Sequence, residues 1–382
     1  KEQFVNLHGH SCFSLFDGFG FPQEHMDFAY ENGSRALALT DHGSMNGLSY
    51  QLLRAKEMKA EGKDFKPIFG VEAYYIDSLE EWQTLRNEIA ADKKRAKEID
   101  KSDSAMVVED EQRNDKRALG RKRHIVLLAQ NQKGLENIYE MVSKSYSGDY
   151  FYRKPRIDWE LLKKHQEGVI VATACLGGIA AGSMWKKQEE GEDAIVEDMI
   201  GNLTKFRDVF GDRFYAELQW NNIPEQHLLN RCLIKVAKQL DIQLISTCDS
   251  HYPTPDAWKD REVYKRLGWL GKMPAWMDDN IPESVEEIGY ELYPKNAQEM
   301  YESYRRYSDD LNLTYDDDLV IESITNTAKI AFEQIEDFLP DTSVQLPSFI
   351  VPNGVNADDH LKEIAEAALR LYLRGTDKTT KR

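Results

Sequence analysis

Seven strand-like runs, mostly followed by helical patterns, constrain this chain more than any single motif does. They are Phe4–Leu7, Ala36–Thr40, Lys66–Tyr75, His124–Ala129, Gly168–Ala172, Arg213–Gln219 and Gln243–Thr247. Between them, Met45–Met58, Leu135–Ser145 and Pro224–Leu240 have helical periodicity. In the last, Leu228, Leu229, Cys232, Leu233, Val236 and Leu240 make an apolar stripe. Repeated strand–helix units predict parallel pairing with helices outside. Seven of them predict a closed or nearly closed α/β barrel over residues 1–270 rather than an open doubly wound sheet. No G-x-G-x-x-G or P-loop follows a strand, which argues against a nucleotide-binding Rossmann domain.

Two stretches break the rhythm. Residues 78–122 are densely charged and predict a surface insert, a charged helix followed by a mobile loop. After about Gly271 the barrel pattern stops. A helical extension is expected over 271–345, with helices at Ala297–Arg306 and Val320–Phe338. An extended, proline-bearing connector follows from Leu346 to Gly354, then an amphipathic stretch from Asp358 to Leu373. The chain begins at Lys1 and ends without a stop signal, so 346–382 reads as a connector and the start of a further, truncated domain.

No run is long enough to span a bilayer, so no membrane association is expected. The four cysteines, Cys12, Cys175, Cys232 and Cys248, lie far apart, which argues for a reducing compartment and against a disulfide framework. A formal net charge of −17 excludes a protein that holds nucleic acid by its overall field. Any such partner has to be gripped locally.

The chemistry-bearing residues cluster near the strands. His8-Gly-His10 follows the first run, with Asp17 seven residues on; i and i+2 side chains of an extended segment point the same way. Asp41-His42 follows the second run, Glu72 lies within the third, and His124 opens the fourth. Cys175 follows the fifth and Asp249-Ser-His251 the seventh. Barrel sites form where loops leave the carboxyl ends of the strands. Singly, each residue has a plainer reading. Asp41 is equally a turn cap, His124 a hydrogen-bonded core histidine and Cys175 a small buried hydrophobe. Together they favour a metal site, because Glu72 in an apolar strand is costly to bury without a cation or partner. Lys122, Lys154 and Arg156 are the basic residues expected near this rim as phosphate contacts.

With these residues in place, the chain resembles the polymerase and histidinol phosphatase (PHP) family. More closely, it resembles the N-terminal PHP domain of the bacterial replicative DNA polymerases of family C, the DNA polymerase III α-subunits. Phrases outside the ligands are similar too: Phe13-Ser-Leu-Phe-Asp-Gly, Leu39-Thr-Asp-His-Gly, Phe151-Tyr-Arg-Lys-Pro-Arg-Ile-Asp158 and Leu346-Pro-Ser-Phe. The resemblance implies a distorted seven-stranded (β/α)7 barrel, TIM-like, with a mainly helical C-terminal extension. It implies nine metal ligands, His8, His10, Asp17, His42, Glu72, His124, Cys175, Asp249 and His251, none of them replaced. His8, His10, Glu72 and Asp249 would hold one ion, and Glu72 would bridge to a second held by His124 and Cys175. Asp17, His42 and His251 would hold a third.

The implied activity is hydrolysis of phosphodiesters by up to three divalent ions (Zn, Mn or Fe), as a 3′–5′ proofreading exonuclease on a DNA primer end. The implied partners are the rest of the polymerase chain and other replisome subunits, in the cytoplasm. Two other readings stand beside it: a metal-stabilised domain that braces the polymerase without cutting DNA, and a free-standing phosphomonoesterase. Polymerisation itself is not expected. Asp316-Asp317-Asp318 lies in a polar stretch and reads as a solvated acidic loop rather than a pair of palm aspartates.

Overall fold

The computed structural model describes residues 3–99, 114–269, 280–343, 350–351 and 354–379. Two compact units are present, Lys1–Pro340 and Asp341–Arg382. Among its described residues the first holds eight strands: β1 (Ala36–Leu39), β2 (Lys66–Ile76), β3 (Arg123–Ala129), β4 (Phe151–Tyr152), β5 (Lys154–Asp158), β6 (Val169–Ala172), β7 (Phe214–Gln219) and β8 (Gln243–Thr247). The second contains the helix Ala357–Thr379, whose Leu361, Ile364 and Leu371 are exposed. The loop expected within the 78–122 insert falls largely on 100–113, outside the described residues. Much of the 346–354 connector (346–349 and 352–353) does too.

The sheet runs β5-β2-β3-β6-β7-β8, with β1 along the edge of β2 opposite β3. The N-terminal segment closes the ring. It donates His10 N–H to Ser250 O at 2.6 Å, past the end of β8, and Asn6 O and Gly9 O accept from Ala38 and Thr40 of the β1 side. This segment and six strands therefore make a seven-membered distorted barrel, with β4 and β5 a short hairpin outside it.

Two departures from a regular parallel barrel matter for the site. First, β3 runs antiparallel to both its neighbours, β2 and β6. The expectation of uniformly parallel pairing fails at this strand. Second, the N-terminal run is not a regular strand. Ala38 and Thr40, two residues apart, bond to Asn6 and Gly9, three apart, so one extra residue is accommodated. The extra residue shifts the alternation. Val5 and Leu7 belong to the interior layer, yet His8 and His10, of opposite parity, reach the centre described below. Gly9 is required there, since a Cβ would lie 2.6 Å from Ser250 Oγ and 3.2 Å from Ala38 O.

The interior layer contains Ala36, Ala38, Ile68, Val126, Leu128, Ile170, Ala172, Tyr215 and Ile245, alternate residues of the strands. Ala328, Ile330, Ala331 and Ile335 pack into the same layer from the end of the helix Asp317–Lys329. Outward-facing Val71, Leu127, Val171 and Phe214 pack beneath helices such as Gln132–Ser145 and Pro224–Leu240. The latter opens with proline, which lacks the N–H a first turn leaves unbonded anyway, and stops at Asp241, whose φ is 54°. Helices Ala297–Asp310 and Asp317–Lys329 contribute Met300, Tyr304, Val320 and Ile324 to the main core. Residues 280–340 lie in the same compact unit as the barrel. Asp316 is not loop either: its carboxylate accepts from the N–H groups of Asp318 and Leu319 and caps the helix Asp317–Lys329.

Candidate metal centre

Following the inward parity of each strand upward from the apolar layer leads to a polar one. On β2 the series is Ile68, Gly70, Glu72; on β7 it is Tyr215, Glu217; from β8 it is Ile245, Thr247, Asp249. Because β3 is reversed, its first turn of the ladder, not its last, reaches the same rim, and the inward series Leu128, Val126 ends at His124. His42 extends β1 by a bridge to Glu72. Asp249 has a left-handed backbone (φ 47°), as has Ala174 beside Cys175 (φ 60°); such strain persists only where the surroundings fix it.

Glu72, fully buried, is the middle of the cluster. Its Oε2 is 2.6 Å from His8 Nε2 and 3.0 Å from His10 Nε2. Its Oε1 faces His42 Nδ1 at 3.4 Å and is in close contact with His124 Nδ1. Asp249 Oδ1 lies 3.3 Å from His8 Nε2 and 3.4 Å from His10 Nε2, and the two Nε2 atoms are 3.2 Å apart. Asp17 Oδ2 is 3.1 Å from His42 Nε2 and 3.5 Å from His251 Nε2. Cys175 Sγ is at the edge, 3.7 Å from His124 Nδ1, and accepts from Gly177 N–H.

Three subsets present ligand atoms mutually within 4.8 Å: His8, His10, Glu72 and Asp249; His42, Glu72 and His124; and His10, His42 and His251. The first is the set expected for one ion. In the second, His42 stands where Cys175 was expected, and in the third His10 stands where Asp17 was expected.

Electrostatics and hydrogen bonding both fit cations here. His42 Nδ1, Glu72 Oε1 and Asp249 Oδ1 are buried, and although they approach charged neighbours none has a hydrogen bond of acceptable geometry. Unpartnered buried polar atoms are costly. Burial opposes ionisation of Glu72, but His124 and His42 outweigh it and hold the carboxyl well below its usual range. Burial likewise opposes a charge on His42, which Glu72 and Asp17 push up to about 10. His8 is raised, against burial, by Asp249 and Glu217. Burial, Glu72 and Asp249 drive the Cys175 thiol upward. Metal ligands bind deprotonated, so divalent ions would relieve this crowding of buried acid and imidazole groups. Mixed imidazole, carboxylate and thiolate donors suit Zn, Mn or Fe.

Several supporting residues went unnoticed in the sequence. Glu217 Oε1 sits 2.7 Å from His8 Nδ1 and also accepts from Thr247 Oγ1 and Gln219 Nε2, fixing which His8 nitrogen faces the centre. A carboxylate at an inward position of an apolar strand was the available signal, the same one that marked Glu72. Arg261 donates to Asp17 Oδ1 at 2.6 Å and to Asp17 O at 2.8 Å. Asp41 accepts from Ser11 N–H, Ser11 Oγ and Ser14 Oγ, and Ser14 Oγ in turn meets His10 Nδ1 at 2.9 Å. Asp41 is thus a brace for the loop.

The three basic residues divide. Lys122 and Lys154 flank the Tyr74 ring at 5.1 and 5.5 Å, and that ring stacks on His42. Arg156 is not at the rim. It is 1% exposed, donates to the carbonyls of Asp149 and Tyr150, and lies 4.1 Å over the Trp82 ring, so its expected phosphate contact is corrected to a structural role.

Residues 6–221 match the family described as the PHP domain. The chain belongs to the PHP domain family. Within the curated proteins it is 31% identical to the DNA polymerase III subunit alpha of Aquifex aeolicus, over 100% of this chain and 29% of that one. It is 29% identical to the DNA polymerase III subunit alpha of Borreliella burgdorferi, over 92% of this chain and 25% of that one. The chain thus spans under a third of the length of these relatives. Among solved structures, an amidohydrolase from Chromobacterium violaceum aligns with 68% of this chain and 96% of its own at 13% identity, with a TM-score of 0.30.

Proposed function

We propose that this chain is the phosphodiester-cleaving PHP domain of a replicative DNA polymerase and removes nucleotides from the 3′ end of DNA as a proofreading exonuclease. The observation that carries the proposal is Glu72, a buried carboxylate that faces four imidazoles while one of its oxygens lacks a hydrogen bond. The ligands proposed are His8, His10, Asp17, His42, Glu72, His124, Cys175, Asp249 and His251. Divalent ions held there supply charge neutralisation of the phosphate, a hydroxide near neutral pH and stabilisation of the leaving alkoxide. This chain's residues do the positioning. Glu217 orients His8, Arg261 orients Asp17, and Lys122 and Lys154 meet the approaching phosphate backbone. The likeness to DNA polymerase III subunit alpha supports a primer end as substrate and a replisome, in the cytoplasm, as the setting. No described helix is long and apolar enough to cross a membrane.

Protein loaded with Mn or Zn is expected to shorten a 3′-mismatched primer and His10→Ala to abolish the activity. An intact primer with fully loaded protein overturns the reading. This chain should incorporate no nucleotide; template-dependent extension would contradict that. A second reading rests on the buried pair His8 and His10, which tie the irregular N-terminal segment to β2 and the end of β8. If metals chiefly hold the barrel shut, chelation lowers the melting temperature sharply while the loaded protein leaves DNA uncut.

A further inference from the structure

The loop between His10 and the helix Pro22–Glu31 carries Phe13, Phe16, Phe19 and Phe21, far more aromatic surface than a ligand-bearing loop needs. Its course is fixed by the centre. Asp17 and Gly18 N–H bond to Ser14 O, Cys12 N–H to Gly20 O, and Phe19 N–H to the carbonyl of His251. On this frame the side chains of consecutive residues diverge: Asp17 reaches His42 and His251, while Phe16 is 51% exposed and Leu15 72%. Phe16 has φ 61°, a left-handed conformation that is a genuine outlier for a bulky residue.

One helix, Trp258–Gly268, secures both neighbours. Its Arg261 grips Asp17 and, one turn on, Tyr264 stacks on Phe16 at 5.5 Å with planes 30° apart. A strained residue with an exposed ring is therefore held next to the proposed ligand Asp17, their Cα atoms about 3.8 Å apart. At the other end of the loop Phe13, Phe21 and Tyr50 form a second aromatic group, with Phe21 and Tyr50 exposed.

We propose that Phe16, backed by Tyr264, is a stacking platform for the terminal base of single-stranded DNA whose phosphodiester lies at the metal centre. The proposal rests on the nuclease reading above and names how that site would hold its substrate. Two features favour a base over an apolar protein surface. Phe16 adjoins the proposed ligand Asp17 in the chain and one helix braces both, so the exposed ring belongs to the loop that bears on the centre. A chain of net charge −17 also gains from a grip that does not depend on charge, and base–aromatic stacking is such a grip.

The test uses the full chain, metal-loaded, and two oligonucleotides that differ only at the 3′ end, one carrying 2-aminopurine and one an abasic residue. Wild type is expected to quench the 2-aminopurine fluorescence. Phe16→Ala should weaken binding of the base-bearing strand about 5- to 150-fold and leave the abasic strand unchanged. Phe16→Trp should restore both quenching and affinity, and equal melting temperatures control for folding. Equal losses on both strands, or none on either, overturn the platform; the latter is also what an apolar protein partner on these rings would give. Quenching by a wild type that cuts nothing overturns the nuclease and supports the platform. Cutting by wild type, with Phe16→Ala handling both strands as wild type does, overturns the platform and supports the nuclease.

Discussion

Replacing Glu217 with glutamine separates what the centre contains from how it is held. Three donors converge on Glu217 Oε1: His8 Nδ1 at 2.7 Å, Thr247 Oγ1 at 2.6 Å and Gln219 Nε2 at 2.9 Å. A carboxamide oxygen still accepts from them. Its –NH2, however, falls where Glu217 Oε2 is buried without a partner, and a buried donor with no acceptor costs about 1–3 kcal/mol. Loss of the charge also weakens the hold on His8. Changes at such supporting partners typically lower metal affinity 10- to 100-fold, or about 1.4–2.7 kcal/mol. Glu217→Ala is harsher, since it leaves His8, Thr247 and Gln219 unsatisfied together, and about 3–5 kcal/mol of stability should go with it. The assay is competition of Zn or Mn between the protein and a calibrated chelator, with thermal melts of the metal-free forms alongside. Glu217→Gln protein with wild-type metal affinity, within twofold, would refute the argument that this carboxylate orients His8.

Other outcomes follow from residues further out. Burial lowers His25 to about 4 in the folded chain against about 6.5 unfolded, so unfolding takes up a proton between those values. Its contribution is complete above about pH 6.5 and is lost as pH falls toward 4, roughly 3 kcal/mol in all. His25→Gln should flatten the pH dependence of unfolding of metal-free protein in that window; an unchanged slope contradicts it. Gly9→Ala should cost about 1–3 kcal/mol by denaturant midpoint, because the added methyl meets Ser250 Oγ and Ala38 O, and Ser250→Gly should recover part of it. Arg156→Gln should destabilise by about 2–4 kcal/mol without altering the salt dependence of DNA binding. Lys154→Ala should do the reverse and lower the salt slope by about one; equal behaviour of the two would show that burial has misled the distinction.

The seven-membered ring and its rim were legible because each strand's apolar alternation is local and survives translation into structure. Pro224–Leu240 has the same bounds in sequence and structure, since proline opens it, an apolar stripe runs its length and Asp241 turns away. Three things were not legible. The direction of β3 is not written in its residues: Ile125 to Ala129 would be buried equally well either way up. The extra residue between Asn6 and Gly9 shows no propensity signal, being set by pairing with β1 and with Ser250. Arg156 is hidden by Trp82, which lies in the helix Leu79–Ile99 at the start of the insert, a contact that only tertiary structure creates. The site fared differently. Its ligand-type residues announced themselves as polar groups in apolar runs, a signal Glu217 shares, whereas Arg261 lies in a charged helix and carries none.

The reversal of β3 has a consequence for how this chain can vary. In a run of parallel strands, a connection must travel the height of the barrel to reach the start of the next. Here Tyr75 and Arg123 are direct partners across an antiparallel ladder, so the chain departs and returns at one place. Topologically a tight turn would serve. The ladder alone therefore sets no length for the chain between Ile76 and Arg123, although Trp82 and Leu119 within it pack against Ile76 and Trp82 lies over Arg156. Glu72 and His124 thus stand on the ladder itself, and the excursion that joins their strands leaves and returns beside them.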